Sequence, residues 1–237
     1  MWCGIMYRKV VRASKVMLKE KEYINKIINA DCMDILKELP DKCIDLVLTD
    51  PPYGIGEAKK NNASRGKLAI AKDYGKKDWD NSIPSKEIFN EIFRVSKNQI
   101  IFGGNYFVEY LSNSSCWLVW DKNNFGNDFA DCELAWTNFK SAVRKYKWTW
   151  NGMLQENMKN KDIRIHPTQK PLKLFEMILS DYSNENDLIL DCFSGSGTTA
   201  VACHNLKRRF ICIEKDEEYY KKSVERLENA KLQMRLF

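Results

Sequence analysis

Asp50-Pro51-Pro52-Tyr53 closes the apolar run Cys43-Ile-Asp-Leu-Val-Leu-Thr49. A carboxylate, a carbonyl-rich backbone and an aromatic ring therefore meet where a buried strand should stop. Such a set can grip a flat ring that carries an amine. An exocyclic amine on a nucleobase is a poor nucleophile, because its lone pair is delocalised into the ring. Asp50 and the Pro51 carbonyl can accept its two N–H bonds, favour a tetrahedral nitrogen and stabilise the positive charge that develops during attack. Pro51 and Pro52 fix φ and remove competing backbone donors, while Tyr53 can stack on the ring. A strand-ending Pro-Pro turn with a surface tyrosine is the plain alternative.

A second set lies far downstream. The apolar stretch 188–190 runs into Asp191-Cys-Phe-Ser-Gly-Ser-Gly-Thr-Thr199. Gly195 and Gly197 let backbone approach a ligand closely, and the helix expected from Thr198 presents free N–H donors at its start. Phe210–Ile213 reads as the next strand and ends in Glu214, an acid able to accept both hydroxyls of a ribose. This spacing does not separate a nicotinamide dinucleotide from S-adenosylmethionine, although the turn lacks GxGxxG. A base grip and a nucleoside turn in one chain point to group transfer onto a nucleobase.

Alternating strands and helices must position these residues. Strands are expected at Asn25–Asn29, Ile44–Thr49, Gln99–Phe102 (ending in Gly103-Gly104-Asn105), Leu188–Leu190 and Phe210–Ile213, with a strand pair at Trp117–Trp120 and Leu134–Thr137. Helices are expected at Met33–Leu39, Ser85–Ser96, Pro171–Leu179, Thr198–Asn205 and Glu217–Leu232. Glu57–Asp80 reads as a polar loop and Lys140–Arg164 as basic and irregular. This alternation predicts an α/β domain with a mostly parallel sheet.

At 237 residues the chain can bury one sizeable core, so 1–237 is expected to be a single catalytic domain. No apolar run approaches the roughly 18 residues of a membrane span, and the N-terminus lacks a signal-length apolar stretch. Eight cysteines are scattered without a CxxC pair, as expected for reduced core thiols and no metal site. Net charge is +6, but residues 1–26 carry seven Lys/Arg against two Glu, and residues 138–165 carry seven against two acids. Segment 138–165 interleaves Lys140, Arg144, Lys145 and Lys147 with Tyr146, Trp148 and Trp150, which suits a polyanion-binding face. Solvated basic loops are the plain alternative.

The whole pattern resembles the S-adenosylmethionine-dependent DNA amino-methyltransferases. Asp50-Pro-Pro-Tyr53 stands before Phe193-Ser-Gly-Ser-Gly-Thr-Thr199, the motif order of the family's β group. Ala30-Asp31-Cys-Met-Asp34, His166-Pro-Thr-Gln-Lys-Pro171 and Glu214 match further family positions. The resemblance implies a Rossmann-like seven-stranded methyltransferase sheet, circularly permuted and mostly parallel with an antiparallel edge, and helices on both faces. The first strand should then pair beside Phe210–Ile213.

The resemblance also implies site residues. Asp50, Pro51, Pro52 and Tyr53 would be catalytic. S-adenosyl-L-methionine would be held by Asp31, Cys32, Asp50, His166, Thr168, Lys170, Asp191, Phe193, Ser194, Gly195, Ser196, Gly197, Thr198, Thr199, Glu214 and Lys215. Thr168 can equally N-cap the helix that follows, and Asp31 can equally be a solvated helix start. Lys140, Arg144, Lys145, Lys147, Trp148 and Trp150 would touch nucleic acid from a short target-recognition insert, 138–165. The implied partner is double-stranded DNA, with a homodimer and a cognate restriction endonuclease as further expectations. The implied setting is the cytoplasm, for a protein that is bacterial or phage-encoded. Asp at the head of the motif is commoner among adenine-N6 members, so adenine is the expected base, with cytosine N4 as the alternative. RNA or protein amide methylation fits less well, because those relatives usually place the glycine motif first. The basic extension 1–23 has no family counterpart.

Overall fold

The computed structural model describes residues 22–56, 80–124, 130–151 and 154–234. The basic extension 1–23 falls almost wholly outside them, as does the loop over 57–79. The described residues form one eight-stranded sheet in the order β1-β10-β9-β2-β3-β5-β4-β6. Its strands are β1 (Lys26–Asn29), β2 (Ile44–Thr49), β3 (Ser96–Phe102), β4 (Trp117–Asp121), β5 (Cys132–Thr137), β6 (Arg144–Lys147), β9 (Leu188–Asp191) and β10 (Arg209–Glu214). A separate hairpin joins β7 (Trp150–Asn151) to β8 (Leu154–Gln155).

β2 is Ile-Asp-Leu-Val-Leu-Thr with parallel partners on both sides, β3 and β9. A central parallel strand must bury both faces, and a near-continuous apolar run satisfies that. Leu46 and Leu48 face one core layer while Val47 faces the other. Phe210 and Cys212 of β10 alternate in the same way with Ile211 and Ile213. Helices α1 (Cys32–Leu36) and α2 (Lys86–Val95) cover one face. Helices α3 (Leu172–Tyr182), α4 (Thr198–Asn205) and α5 (Glu217–Met234) cover the other. The α2 sequence places Phe89, Ile92 and Val95 three residues apart, and these are its buried residues.

The permuted pairing is present. β1 lies parallel to β10 in the register Lys26↔Ile211 to Asn29↔Glu214, so the start of the described chain meets its penultimate element. β5 runs antiparallel to both β3 and β4. Two details differ from expectation. The β4–β5 pair lies inside the sheet, because β6 adds an eighth, parallel strand beyond β4. Segment 140–164 is therefore not wholly irregular. β6 buries one side chain, Tyr146, and leaves Arg144, Lys145 and Lys147 exposed. A single inward residue is too short a pattern to mark a strand in sequence.

Candidate active site

Parallel strands of an open sheet end together, and ligands bind beyond their carboxyl ends. Here that edge gathers Asp31 after β1, Asp50 after β2, Gly103 after β3, the glycine turn after β9 and Glu214 closing β10. A cavity of about 640 Å³ opens there. Its wall carries all but one of the expected cofactor residues, Gly197 being the exception. Of the catalytic motif it carries Asp50 and Pro52, but neither Pro51 nor Tyr53.

The glycine turn is built by its own backbone demands. Gly195 and Gly197 sit at φ +49° and +71°, in the left-handed region that favours glycine. Gly195 N–H donates to Glu214 Oε2 at 2.7 Å, and Asp216 N–H donates to Oε1 at 2.8 Å. Burial raises the Glu214 pKa. Asp191 is buried and accepts from Thr49 Oγ1 (2.8 Å), Thr199 Oγ1 (2.5 Å) and Phe193 N–H (3.1 Å). Burial pushes its pKa up to about 6 against these hydrogen bonds. From α5, Arg226 reaches the Ser196 carbonyl (3.1 Å) and Thr198 Oγ1 (2.9 Å), bracing the turn from behind.

The neighbouring expected residues divide by environment. Asp31 caps α1 by accepting from Met33 N–H at 3.0 Å and pairs with Lys215 at 2.8 Å. That Lys215 contact lowers its pKa, so capping and a cavity position coexist. Cys32 is buried beside it, its thiol pushed up to about 12 by burial. His166 packs edge-on against Tyr219 with ring centroids 4.2 Å apart, and its Nδ1 lies 3.1 Å from Thr168 Oγ1. Thr168 is not the N-cap of α3. That helix begins at Leu172 after Pro171 and has no side-chain cap, so the threonine hydroxyl turns to His166 instead.

Asp50 is held from two sides. Tyr53 donates its hydroxyl to Oδ1 at 2.6 Å, and the Lys170 ammonium pairs with Oδ2. Burial raises the Asp50 pKa while Lys170 pulls it back. The Tyr53 ring stacks on Tyr106 at 4.7 Å and 14°, so the stacking face expected for a base already has an aromatic neighbour. Lys170 also lies 3.1 Å from Glu133 Oε2, and Lys122 lies 2.5 Å from Glu133 Oε1. Burial works against the Lys170 charge, but Asp50 and Glu133 outweigh it and raise its pKa. Asp80, itself buried, accepts from Gly54 N–H at 2.8 Å and anchors the chain after the motif.

Glu133, Lys122, Asp80 and Arg226 were missed by sequence reasoning. A charge inside the apolar strand Cys-Glu-Leu-Ala-Trp-Thr was the available signal for Glu133. Its meaning depends on β5 running antiparallel, which brings the start of that strand to the edge where β2 and β3 end.

The expected nucleic-acid residues separate into two groups. Lys140, Arg144, Lys145 and Lys147 are exposed. Trp150 is 8% exposed with the Arg164 guanidinium 4.4 Å over its ring, and Trp148 packs against the main core. The tryptophans thus fasten the insert to the body, while the cations face outward.

The cavity's donor set suits S-adenosylmethionine. It offers carboxylates for hydroxyl and amino groups, turn N–H donors, and Ile88, Phe193 and Ile213 for a flat ring. Residues 112–225 match the family model for DNA methylases. The chain is 28% identical to the type II methyltransferase M2.DpnII of Streptococcus pneumoniae, over 90% of this chain and 94% of that one. It is 29% identical to M.HpaI of Haemophilus parainfluenzae, over 86% and 74%. Its fold is similar to that of the M1.HpyAVI–SAM complex, with a TM-score of 0.54 and 28% identity over 85% of this chain and 99% of that one. The cytosine-N4-specific PvuII DNA methyltransferase shares the fold at a TM-score of 0.55, with 16% identity over 88% and 91%. With Asp50-Pro-Pro-Tyr53 ahead of its glycine turn, and Asp50 and that turn on one cavity, the chain is similar to the S-adenosylmethionine-dependent DNA amino-methyltransferases.

Proposed function

We propose that this chain methylates the N6 amine of adenine in double-stranded DNA, on a base flipped out of the helix. One observation carries the reading. Asp50 and Pro52 share a cavity of about 640 Å³ with the glycine turn and Glu214, so a base and a cofactor bound there would meet. Asp at the head of the motif favours adenine over cytosine N4.

When bound, S-adenosylmethionine supplies a methyl carbon on a positively charged sulfur. The residues of this chain do the rest. Glu214 takes the ribose hydroxyls and Asp31 the adenosine end, while His166, Thr168 and the glycine turn hold the amino-acid end. Asp50 and the Pro51 carbonyl accept the two N–H bonds of the target amine. The sulfonium would supply its methyl group and leave as a neutral thioether, with Asp50 and the Pro51 carbonyl holding the amine nitrogen toward it. The nitrogen gains positive charge, which Asp50 stabilises, and Asp50 then accepts the departing proton. Tyr53 holds Asp50 through its hydroxyl. The cations of insert 138–165 grip phosphates. That insert is short, so we extend the reading to a homodimer that completes the DNA grip.

The test is incubation with labelled S-adenosylmethionine and unmethylated DNA, followed by nucleoside analysis. N6-methyladenine is the expected product. N4-methylcytosine would move the reading to the other base, and label appearing only in RNA or protein would overturn it. Asp50→Ala should still bind cofactor but form no product.

A further inference from the structure

Four ionisable side chains of alternating charge run from the sheet edge to Asp50. Lys122 Nζ lies 2.5 Å from Glu133 Oε1, Glu133 Oε2 lies 3.1 Å from Lys170 Nζ, and Lys170 closes on Asp50 Oδ2. Lys170 is 6% exposed and lies within 5.4 Å of the Phe102 ring centroid and 5.7 Å of that of Tyr53. Neither Lys122 nor Glu133 lines the cavity that holds the glycine turn and Glu214.

Both Asp50 oxygens are engaged before any base arrives, Oδ1 by Tyr53 and Oδ2 by Lys170. A target amine that donates to Asp50 must displace or share the Lys170 ammonium. An ammonium this buried cannot simply lose its partner, because an unpaired charge in a low-dielectric interior is strongly disfavoured. Glu133 is the second carboxylate already within ion-pair distance of it.

We propose that Glu133 is a positioning residue for methyl transfer. It retains Lys170 as an ion pair when the target amine takes the Asp50 oxygen, leaving Asp50 ionised and free. Lys122 neutralises the other Glu133 oxygen and keeps that carboxylate charged and aimed. The four formal charges cancel, so the handover brings no net charge into the site. This inference rests on Asp50 as the group that grips the amine.

The experiment is single-turnover methyl transfer to unmethylated DNA at saturating S-adenosylmethionine, with cofactor affinity measured separately by calorimetry. Glu133→Gln should slow transfer about tenfold or more while the cofactor dissociation constant stays within about threefold, because Lys170 is left with Asp50 alone. In a Lys170→Gln background the same Glu133→Gln change should cost less than about twofold, since the cation it serves is gone. Wild-type transfer by Glu133→Gln would overturn the proposal, as would an equal loss in both backgrounds. If Glu133→Gln does not fold, Glu133→Asp gives the readout. It keeps the charge but withdraws it by one methylene, and an unchanged rate would again overturn the proposal. Wild-type protein that binds cofactor but leaves DNA unmethylated would overturn the proposed function, and this inference with it.

Discussion

Thr49 donates its hydroxyl to Asp191 Oδ1 at 2.8 Å, joining residues 142 positions apart. Thr49 is the last residue before Asp50-Pro-Pro-Tyr53, and Asp191 opens the glycine turn. Because the Asp191 carboxylate also accepts from Thr199 and the Phe193 N–H, this buried acid sets the spacing between the two halves of the site. Three protein donors converge on this carboxylate, which makes it a brace between the halves.

That brace carries a pH signature. Burial lifts the folded-state pKa of Asp191 from 3.8 to about 6. The folded protein thus holds this proton up to about pH 6, whereas the unfolded chain releases it near pH 4. Between those values the folded state binds more protons, so this group makes stability fall as pH rises, and its cost is complete above about pH 6. The full cost is about 3 kcal/mol, from the two-unit shift. Asp191→Asn lacks the titration, so urea unfolding from pH 4 to 6.5 should show the variant gaining on wild type as pH rises. A constant difference across that range would refute the assignment.

Gly103 should tolerate no side chain. It has φ +67°, and a Cβ there would lie 2.1 Å from Tyr53 Cε1. Gly103→Ala must therefore push the Tyr53 ring and disturb the hydroxyl that holds Asp50. The left-handed backbone alone costs roughly 1–2 kcal/mol. The expected outcome is a melting point lowered by a few degrees and methyl transfer reduced about tenfold or more, with cofactor affinity intact. Normal turnover would show that the Tyr53–Asp50 contact is dispensable.

Glu214 and Lys215 are adjacent but should behave differently. Glu214 is half-buried on the cavity wall, whereas the Lys215 side chain is 79% exposed and, among the described residues, forms its ion pair with Asp31. Loss of charged hydrogen bonds to a ribose costs about 1.5–3 kcal/mol each, so Glu214→Ala should weaken S-adenosylmethionine binding by about tenfold or more. Exposed ion pairs contribute about 0–1 kcal/mol, so Lys215→Ala should change it less than about fivefold. Calorimetric titration of both variants decides, and similar losses would count against Glu214 as the ribose acid.

The cations of the insert should act through salt. Lys140, Arg144, Lys145 and Lys147 are exposed, and the ion pair of Lys145 with Asp121 at 3.3 Å is itself on the surface. Replacing all four with alanine should leave the melting point nearly unchanged. The logarithmic salt slope of DNA binding should shrink by about 0.9 for each phosphate that is no longer neutralised. An unchanged slope would return these residues to a merely solvated edge. Trp150→Ala, by contrast, should destabilise the fold by roughly 3–5 kcal/mol, because its ring is core.

Much of this molecule was legible from residue order alone. β2, β9 and β10 are short apolar runs between polar turns, and burial on both faces of a parallel sheet demands that pattern. Asp50, the glycine turn and Glu214 each follow such a run directly, so local sequence already placed them at strand ends. The pairing of β1 with β10 came from family resemblance, and only hydrogen bonds between distant strands establish it. What local pattern could not carry was anything decided across the sheet. Trp148 and Trp150 look like stacking residues beside their lysines, yet packing turns them inward while the cations turn out. Glu133 is an odd acid in an apolar strand until the antiparallel course of β5 delivers it to Lys170. Residue order sets which chemistry stands at each strand end, because strand, turn and acid are neighbours along the chain. Which charges face one another is set by the fold, because those pairs are made by strands that meet in space.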